Sequence, residues 1–491
     1  MGGRMALRHI IRLILLVVLV WRAAVYWDLL LRDWDGWKKL RKKGLKRKKR
    51  RRRRRRGYKK AKPFEGLTRQ PACALCNGGE KGIGEAPGEP PPMIVHQRGA
   101  KRRVDTTNQY CPHEGLCEYY GWLGRGNITA NGHPNGGPWR QLKCEVCGKY
   151  FQETTGTVFY GSPVEAKEIY RAIGSLCEGQ GIRKVGRVFE VDKDEVLGWL
   201  MAASAHSEAV SRYMLHDLHL SRVQMDELYA LLSAMKKAAE EEEENEGQGG
   251  KKRRRHCWLW SGIDAESKLM LGVAVGDRSL GMAQRLVHKI VEVLAPGVVP
   301  MFESDQLAAY EKALLGHFGE WVEPQETAEG KKQRKPRWMP KAELLYAQVV
   351  KRRVRRRIVE VTQRVVYGTW ERVQEKLEQV GQKVNTAFIE RVNRTWRAHV
   401  PGLGRREEGL AKTEEGLERR AVLVWGYYNF CLSHASLREE LAQPIPTKGT
   451  GSPKKWTQRT PAMAAGLTDH RWTVRELLLF RVPPWRQEMA A

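Results

Sequence analysis

The segment Val298-Val-Pro-Met-Phe-Glu-Ser-Asp305-Gln-Leu-Ala-Ala-Tyr310 joins an apolar run that ends at an acid to a helical pattern. A short apolar run of this kind is typical of a buried strand. The run Val223-Gln-Met-Asp226-Glu-Leu-Tyr229 has the same character and also carries an aspartate. Glu390 lies in a third, helix-like stretch. We expect the two aspartates, each at a strand end, and the helical glutamate to converge on one site.

Three converging carboxylates are ligands for hard divalent cations. Their oxygen donors suit Mg²⁺ or Mn²⁺ better than zinc. Two such ions, about 3.5–4 Å apart, stabilise the attacking and leaving oxygens of an in-line phosphoryl transfer. Asp226, Asp305 and Glu390 are therefore predicted to be catalytic and to bind two Mg²⁺ or Mn²⁺ ions per active site.

The region 221–440 alternates strand-like runs with helical patterns, which predicts an α/β domain with flanking helices. The runs Trp258–Ile263 and Leu269–Val275 predict a hairpin, and Asp264 stands where its turn favours an aspartate. Helices are predicted over 282–294 and 308–318.

Two stretches interrupt this pattern and are predicted insertions, one near 236–256 and one near 320–380. The first contains a block of acids followed by a block of bases. The second contains two apolar runs, Leu344–Val350 and Val359–Tyr367, around a basic segment at 351–357. This pattern predicts a β-hairpin with a basic tip that suits contact with DNA. The remaining residues, 441–491, are predicted to be a tail on the surface.

The chain is strongly basic, with 87 Lys and Arg against 56 Asp and Glu and a net charge of +31. Residues 1–62 hold 24 Lys and Arg and three Asp, a net +21, which leaves +10 for the remaining residues. Because the body is basic even without this segment, the composition indicates a polyanionic partner such as double-stranded DNA.

Residues 1–62 form a hydrophobic segment followed by a polybasic arm. The apolar stretch 10–31 is interrupted by charged residues, whereas a membrane-spanning helix needs about 20 mostly apolar ones. We therefore expect a cytoplasmic, nucleoid-associated protein, with N-terminal membrane association left open as the weaker alternative. The arm itself suits either a solvated coil or a clamp on DNA phosphates.

Six of the nine cysteines lie between Cys73 and Cys147, in an arrangement that favours metal binding over disulfides. Over residues 105–160, two pairs of cysteines are separated by a Gly- and Asn-rich stretch, which predicts a zinc ribbon with one structural Zn²⁺. The predicted ligands are Cys111, Cys117, Cys144 and Cys147. The first pair is unusually wide, so His113 remains an alternative to Cys117.

Residues 63–104 contain one further pair, Cys73 and Cys76, within a segment rich in Gly, Pro and charge. This composition predicts a linker. Whether the pair binds a second zinc ion is left open.

Residues 161–215 predict a helix-turn-helix DNA-binding unit, in which two short helical patterns are separated by a tight turn near Val191-Asp192. A small structural helical bundle is the alternative. Four basic residues of this unit are candidate DNA contacts: Arg183, Lys184, Arg187 and Lys193.

Several of these motifs together resemble the insertion-sequence DDE transposases of the insertion-sequence-one type. The resemblance rests on the chain order of cysteine group, helical unit and acidic core, and it covers about 105–475. The motifs that carry it are Pro138-Trp-Arg-Gln-Leu-Lys-Cys-Glu-Val-Cys-Gly-Lys-Tyr-Phe151, Thr154–Gly161, Phe388-Ile-Glu-Arg-Val-Asn-Arg-Thr-Trp-Arg-Ala-His399, Tyr427–His434 and Thr460–His470. The wide first cysteine pair and the insertions near 240–255 and 320–380 depart from the family.

The resemblance implies an RNase H-like catalytic core preceded by a zinc ribbon and a helix-turn-helix. It implies a Mg-dependent transposase that binds inverted terminal repeats, nicks the transposon ends and joins them to target DNA. Asn393, Arg394 and Arg397 follow Glu390 at helical spacing, and we expect them to contact DNA beside it. Because two ends are processed in one complex, at least a dimer on DNA is expected.

Two other functions remain open from the sequence. One is a catalytically dead, transposase-derived regulator that binds DNA without cutting it. The other is a membrane-tethered DNA-binding protein, which only residues 10–60 suggest. Metal-dependent nicking by purified protein separates the first from a transposase, and detergent-dependent solubility identifies the second.

Overall fold

A computed structural model describes residues 104–133, 138–232, 257–323, 337–355, 357–379, 381, 383–404, 411–447 and 451–486. The predictions made for residues 1–62, for Cys73 and Cys76, and for the acidic and basic blocks near 236–256 lie outside these ranges. No helix within these ranges is both long enough and apolar enough to cross a membrane.

The first part of the described chain is a small lobe built around the cysteines. Its three strands form an antiparallel sheet in chain order: β1 (Ile128–Ala130), β2 (Gln141–Cys144) and β3 (Tyr150–Gln152). Leu142 and Phe151 form its small apolar core together with Cys111 and Cys144. A core of this size cannot stabilise a lobe by burial alone, so a further constraint such as a metal ion is expected.

Three helices follow the cysteine lobe: α1 (Ala166–Cys177), α2 (Ile182–Val188) and α3 (Lys193–Met214). The Asp192 side chain caps α3 by accepting from the Asp194 amide at 2.8 Å. Two helices joined by a short turn are therefore present, as the pattern predicts. However, α3 extends well past a recognition helix, because Val210 and Met214 near its end pack in the main core.

The main body contains a six-stranded mixed sheet in the described part of the chain, flanked by helices. Its strands lie in the order β11-β10-β7-β4-β5-β6. In chain order they are β4 (Arg222–Ala230), β5 (Cys257–Asp264), β6 (Met270–Gly276), β7 (Met301–Asp305), β10 (Tyr346–Val354) and β11 (Arg357–Tyr367). The first three form antiparallel neighbours, and β7 and β10 then add in parallel to the far side of β4. This arrangement is compatible with an RNase H-like core.

Helices cover both faces of the sheet. On one face lie α4 (Leu280–Val291) and α5 (Ala308–Phe318), where Tyr310 packs edge-on against Trp260 of β5. On the other face lies α7 (Ala387–His399), where Trp396 donates to the Ser261 hydroxyl at 3.3 Å. Because Trp260 and Ser261 are consecutive on one strand, their partners lie on opposite faces.

The region between β7 and α7 differs from the predicted insertion near 320–380. β10 belongs to the main sheet, with Val349 in register beside Asp305. Its residues Tyr346 and Ala347 are fully buried in the core. The predicted hairpin is present, but its strands β10 and β11 continue through the basic segment as far as Val354 and Arg357. The other elements of this region are β8 (Gly319–Val322), β9 (Arg337–Pro340) and α6 (Trp370–Glu378).

Beyond α7, helix α8 (Glu414–Gly426) continues into a π-helical turn, Tyr427–Cys431, that supports the edge of the sheet. Asn429 accepts from the Met270 amide and donates to the Met270 carbonyl, both at 2.9 Å. A buried side-chain amide that satisfies both backbone groups of an edge residue fixes the end of β6.

Residues 441–491 were expected to form a surface tail, and this expectation is wrong for their second half. The remaining elements are β12 (Glu439–Ile445), β13 (Lys454–Thr457), α9 (Pro461–Ala464) and α10 (Val474–Leu479). Ala462, Leu477 and Leu478 are buried, and Trp472 stacks on Phe430 at 4.9 Å. The apolar side chains of this segment therefore complete the core instead of lying on its surface.

The same segment returns to the cysteine lobe. The Tyr110 hydroxyl donates to the Val482 carbonyl at 2.8 Å, and the buried Arg481 guanidinium donates to the Thr155 carbonyl at 2.8 Å. The Trp485 ring packs edge-on against Tyr120 at 5.4 Å. Residues far apart in sequence thus close one side of the lobe.

Candidate functional site

Three acidic residues line one open cleft of about 1080 Å³ on the main body. Asp305 is the last residue of β7, as predicted, and Glu390 lies in the first turn of α7. Asp226 lies in the middle of β4 instead of at its end, because the strand continues to Ala230. β4 and β7 are parallel neighbours, so their two aspartates reach the same cleft.

Asp226 is held by neutral donors. Its Oδ2 accepts from the Asn393 amide at 2.6 Å, and its Oδ1 accepts from the Glu227 backbone N–H at 2.9 Å. Burial raises the pKa of Asp226 to about 7, and the nearby charges of Glu227 and Asp305 act in the same direction. A carboxyl with this pKa releases its proton readily when a cation enters the cleft.

Glu227 also lines the cleft, but its carboxylate faces the opposite side of the sheet from Asp226. It is ion-paired with Arg278 and accepts from the Tyr310 hydroxyl at 3.2 Å. Burial raises the pKa of Glu227, and the Arg278 charge opposes this effect. Its partners within the protein already compensate its charge.

Asp305 and Glu390 share a cationic partner that the sequence did not single out. The Lys351 ammonium lies 3.1 Å from Asp305 Oδ1 and also donates to Glu390 Oε1. Thr386 Oγ1 bridges the same two carboxylates, at 3.2 Å from Asp305 and 3.4 Å from Glu390. Burial lowers the pKa of Lys351, but its hydrogen bonds to Glu390 and Asp305 outweigh this and raise it, so the ammonium stays charged.

The position of Lys351 has a simple cause. It stands two residues beyond Val349, which pairs with Asp305, so its side chain emerges on the same face of the sheet. In the sequence it is one of a run of bases, and only the strand register distinguishes it from the others. Arg352, the next residue, points away and pairs with Glu360 at 2.8 Å.

A buried network fixes the start of the glutamate helix. Gln224 Oε1 accepts from the Phe388 and Ile389 amides, both at 3.1 Å, and its amide donates to the Asn385 carbonyl at 2.7 Å. Thr386, the residue before the helix, provides no side-chain cap. Gln224 of β4 therefore caps α7 from another element and sets where Glu390 points.

Glu303 also belongs to this buried network. It is fully buried, pairs with Arg222 at 2.7 Å and accepts from the Gln224 amide at 3.0 Å. The Asn385 backbone N–H donates to its other oxygen at 3.2 Å. Its negative charge is thus compensated by partners within the protein.

Replacing Glu303 by Gln is expected to destabilise the fold by about 3–5 kcal/mol, because it removes the carboxylate charge of a fully buried ion pair with Arg222. Urea unfolding of the variant and wild type measures this difference. The control is Glu360→Gln, which removes an exposed pair and should cost at most about 1 kcal/mol. Equal stability losses in the two variants would contradict the structural role of Glu303.

The raised pKa of Asp226 predicts a pH dependence in protein free of Mg²⁺ and Mn²⁺. Because the folded pKa of about 7 lies above an unfolded value of about 3.9, folding takes up a proton and stability falls as pH rises through this window. The free energy of unfolding should fall by about 3 kcal/mol more in wild type than in Asp226→Asn between pH 5 and 8. Effects from other groups, such as His206, whose pKa burial lowers to about 4, cancel in this comparison. Parallel curves would show that Asp226 titrates normally.

The helix residues predicted beside Glu390 divide into two sets. Asn393 and Arg397 line the cleft, and Asn393 is buried. Arg394 is exposed and does not line the cleft, so its expected contact with DNA stays a prediction. Asn393 Oδ1 has no hydrogen-bond partner among the described residues, so a turned amide can accept from a protonated Asp226.

The wall of the cleft beside Asp226 is aromatic and cationic. The Trp258 and Tyr229 rings pack edge-on at 5.3 Å, and the Arg278 guanidinium lies 4.9 Å from the Trp258 ring centre. Tyr229 is 42% exposed. Sequence reasoning missed this wall, because its residues come from different strands and form no local motif.

The donor chemistry of the acidic cluster fits a hard divalent cation. Asp226, Asp305 and Glu390 contribute only carboxylate oxygens, and a cationic group, the Lys351 ammonium, already lies between two of them. Asp264, by contrast, has the turn role that the sequence predicts, since its Oδ2 accepts from the Ser267 amide at 2.7 Å.

The cysteine lobe contains a group of four thiols that could hold a metal ion. The sulfurs of Cys111, Cys117, Cys144 and Cys147 all lie within 4.8 Å of one another, and this cluster could hold a metal such as zinc. The Cys111–Cys147 and Cys117–Cys144 sulfur distances are 3.7 and 3.6 Å. Four thiolates at about 2.3 Å from one Zn²⁺ are separated by about 3.8 Å, so the donor set fits.

Cys117 takes part in the cluster, so His113 is not needed as a fourth ligand, although its Nδ1 lies 3.2 Å from the Cys111 sulfur. Burial acts to raise the pKa of the Cys144 thiol, but hydrogen bonds from the amides of Cys147 and Val146 outweigh it and bring the value to about 7. A thiol that ionises this readily is suited to a metal.

The four basic residues predicted to contact DNA lie close together in the chain and are all exposed. Arg183, Lys184 and Arg187 lie on α2, and Lys193 is the first residue of α3. Asp194 and Glu195 follow Lys193, so α2 carries the more basic surface.

Comparison with known proteins provides little. No family model matches the chain, and no curated protein matches it. Among solved structures, the crystal structure of the Mos1 strand transfer complex matches 32% of this chain and 57% of that chain, at 12% identity and a TM-score of 0.13. The match thus spans little more than half of that chain, and a TM-score of this size does not establish a shared fold.

Proposed function

We propose that this chain is a DNA transposase that binds inverted terminal repeats and catalyses metal-dependent nicking and strand transfer at transposon ends. The observation that carries the proposal is the meeting of Asp226, Asp305 and Glu390 in one cleft. Each comes from a different element: a central strand, its parallel neighbour and a helix on one face. The sequence resemblance to insertion-sequence transposases and a strand order compatible with an RNase H-like core support the same function.

In this proposal the three carboxylates hold two Mg²⁺ or Mn²⁺ ions, which supply charge stabilisation to the attacking and leaving oxygens. Asn393 orients Asp226, and the Gln224 network orients Glu390. Arg397, at the edge of the cleft, grips a phosphate near the scissile bond. Little covalent protein chemistry is required, because phosphoryl transfer relies on positioning and charge neutralisation.

The remaining parts serve DNA binding. The cysteine lobe is proposed to be a zinc ribbon, and α2 with α3 to be a helix-turn-helix that contacts phosphates through Arg183, Lys184, Arg187 and Lys193. The basic hairpin of β10 and β11 would add contacts beside the cleft. At least a dimer is proposed on DNA, since two ends are joined in one reaction.

The test is incubation of the purified chain with duplex DNA that carries the inverted ends flanking its gene. Nicking at the element boundary in Mg²⁺, and its absence without divalent ions, is the expected result. Binding without cutting in Mg²⁺ and in Mn²⁺ would overturn the catalytic proposal and favour the DNA-binding regulator.

Removing the basic side chains of α2 tests the DNA-binding role. In the triple variant Arg183→Ala, Lys184→Ala and Arg187→Ala, affinity for DNA should fall, and the slope of log K against log salt should weaken by about 0.9 for each lost phosphate contact. The control is Arg212→Ala, an exposed arginine on α3 that pairs with Glu208. The same salt slope in triple variant and wild type would remove α2 from the DNA interface.

A further inference from the structure

The Lys351 ammonium lies between Asp305 and Glu390, two of the three acids of the cleft. Its ammonium makes three kinds of contact, to the Asp305 carboxylate at 3.1 and 3.3 Å, to Glu390, and to the Thr386 hydroxyl at 3.3 Å. An ammonium has three protons to donate, so this set of contacts uses its full capacity. The Lys351 side chain is only 16% exposed.

In the described part of the chain, Asp226 makes no hydrogen bond or ion pair with a cationic side chain. Its partners are the Asn393 amide and a backbone N–H. Of the other two basic residues that line the cleft, Arg278 pairs with Glu227, and Arg397 has no ion pair with Asp226 among the described residues. The Lys351 ammonium therefore compensates the charges of Asp305 and Glu390. The charge of Asp226 can be compensated by a cation that enters the cleft.

The charges set how many divalent ions this arrangement accepts. With all three carboxylates ionised and Lys351 in place, the cluster carries a charge of minus two, which one divalent ion neutralises. A second ion would leave a charge of plus two in a partly buried site, and such an unbalanced charge is costly. If a DNA phosphate enters and Lys351 withdraws, the same two ions are balanced by three carboxylates and one phosphate.

We propose that Lys351 is a placeholder cation that limits the DNA-free protein to one divalent ion and makes the second depend on DNA. This inference rests on the proposed metal-dependent function of the cleft. Lysine suits the role because its ammonium is a compact point charge on a long flexible stem, which can move from a carboxylate to a phosphate. The device would prevent full metal loading, and thus cutting, before a DNA phosphate is present.

The experiment counts Mn²⁺ ions bound by the full DNA-free chain, using calorimetry after the cysteine group has been loaded with Zn²⁺. Wild type should bind one Mn²⁺ in the cleft and Lys351→Met should bind two. Lys351→Arg keeps the positive charge and should bind one, as should Arg352→Met, which removes the neighbouring outward cation. Weak binding elsewhere, for example by the acids at 240–246, is subtracted with the double variant Asp226→Asn and Glu390→Gln.

A second measurement guards against a variant that binds metal differently because it is misfolded. Without divalent ions Lys351→Met should unfold at a lower temperature than wild type, since Asp305 and Glu390 lose their counter-charge, and Mn²⁺ should raise its midpoint more. Its nicking of end DNA should reach half its maximal rate at a roughly tenfold lower Mn²⁺ concentration, in keeping with loss of a charge-assisted competitor.

Two results would overturn the placeholder role alone: two Mn²⁺ ions in DNA-free wild type, or one in a folded Lys351→Met. No cleft-bound Mn²⁺ in any folded variant would instead overturn the metal-dependent function on which the inference rests. The two failures are therefore distinguished by the ion count itself.

Discussion

Asp226→Asn and Glu390→Gln are each expected to lower the rate of Mg²⁺-dependent nicking by at least about 10³-fold. Each substitution removes a charged metal ligand, and the bound metal ions stabilise the transition state by several kcal/mol. Both substitutions keep the shape of the side chain. Asn at position 226 can still bond to a turned Asn393 amide, and Glu390 lies half exposed in the first turn of α7. We therefore expect the fold and DNA affinity to persist while cleavage is lost.

Single-turnover cleavage of labelled end DNA, together with a binding assay on the same samples, measures the two effects separately. The matched control is Glu292→Gln, an exposed acid at the end of α4 that lies outside the cleft. It should cleave at the wild-type rate. Nicking by Asp226→Asn within tenfold of wild type would mean that the cleft is not where phosphoryl transfer occurs.

Loss of the metal from the cysteine lobe should have the second large effect. Structural zinc contributes about 10–16 kcal/mol of apparent binding energy in zinc-finger peptides, and the apolar core of this lobe is small. We expect Cys144→Ala to abolish zinc binding and to unfold residues 104–152, which would then become sensitive to protease. Metal analysis should find one zinc ion per chain fewer in the variant than in wild type.

The control for this experiment is Cys177→Ala, which removes a buried cysteine of α1 outside the cluster. Its loss should cost about 1–2 kcal/mol through packing and leave the zinc content unchanged. A Cys144→Ala protein that keeps the zinc content and the protease resistance of wild type would show that the four thiolates are not the ligands.

The sequence predicts well where local pattern and tertiary structure agree. The α5 bounds 308–318 and the β5–β6 hairpin are confirmed, because apolar spacing and a turn aspartate act within a few residues. The meeting of the cysteines is also predicted by their spacing. These features depend on short-range chemistry.

The parts that the sequence could not predict depend on register and on long-range packing. Lys351 is indistinguishable from its basic neighbours until β10 is paired with β7. The sequence pattern places β10 in an insertion, since nothing local shows that it pairs with residues 44 positions earlier in the chain. Gln224 as a cap for α7, and Glu303 as a buried structural acid, appear only when β4, β7 and α7 are brought together.

The contact between Tyr110 and Val482 joins residues 372 positions apart in the chain, which affects how the protein folds during synthesis. Contacts of such long sequence separation form late, and chains emerge from the ribosome at about 5–20 residues per second. The cysteine lobe is therefore synthesised well before Arg481, Val482 and Trp485 can cover it. During that interval the aromatic side chains of the lobe remain exposed to chaperones and metal donors. Maturation of the lobe is therefore coupled to the completion of translation.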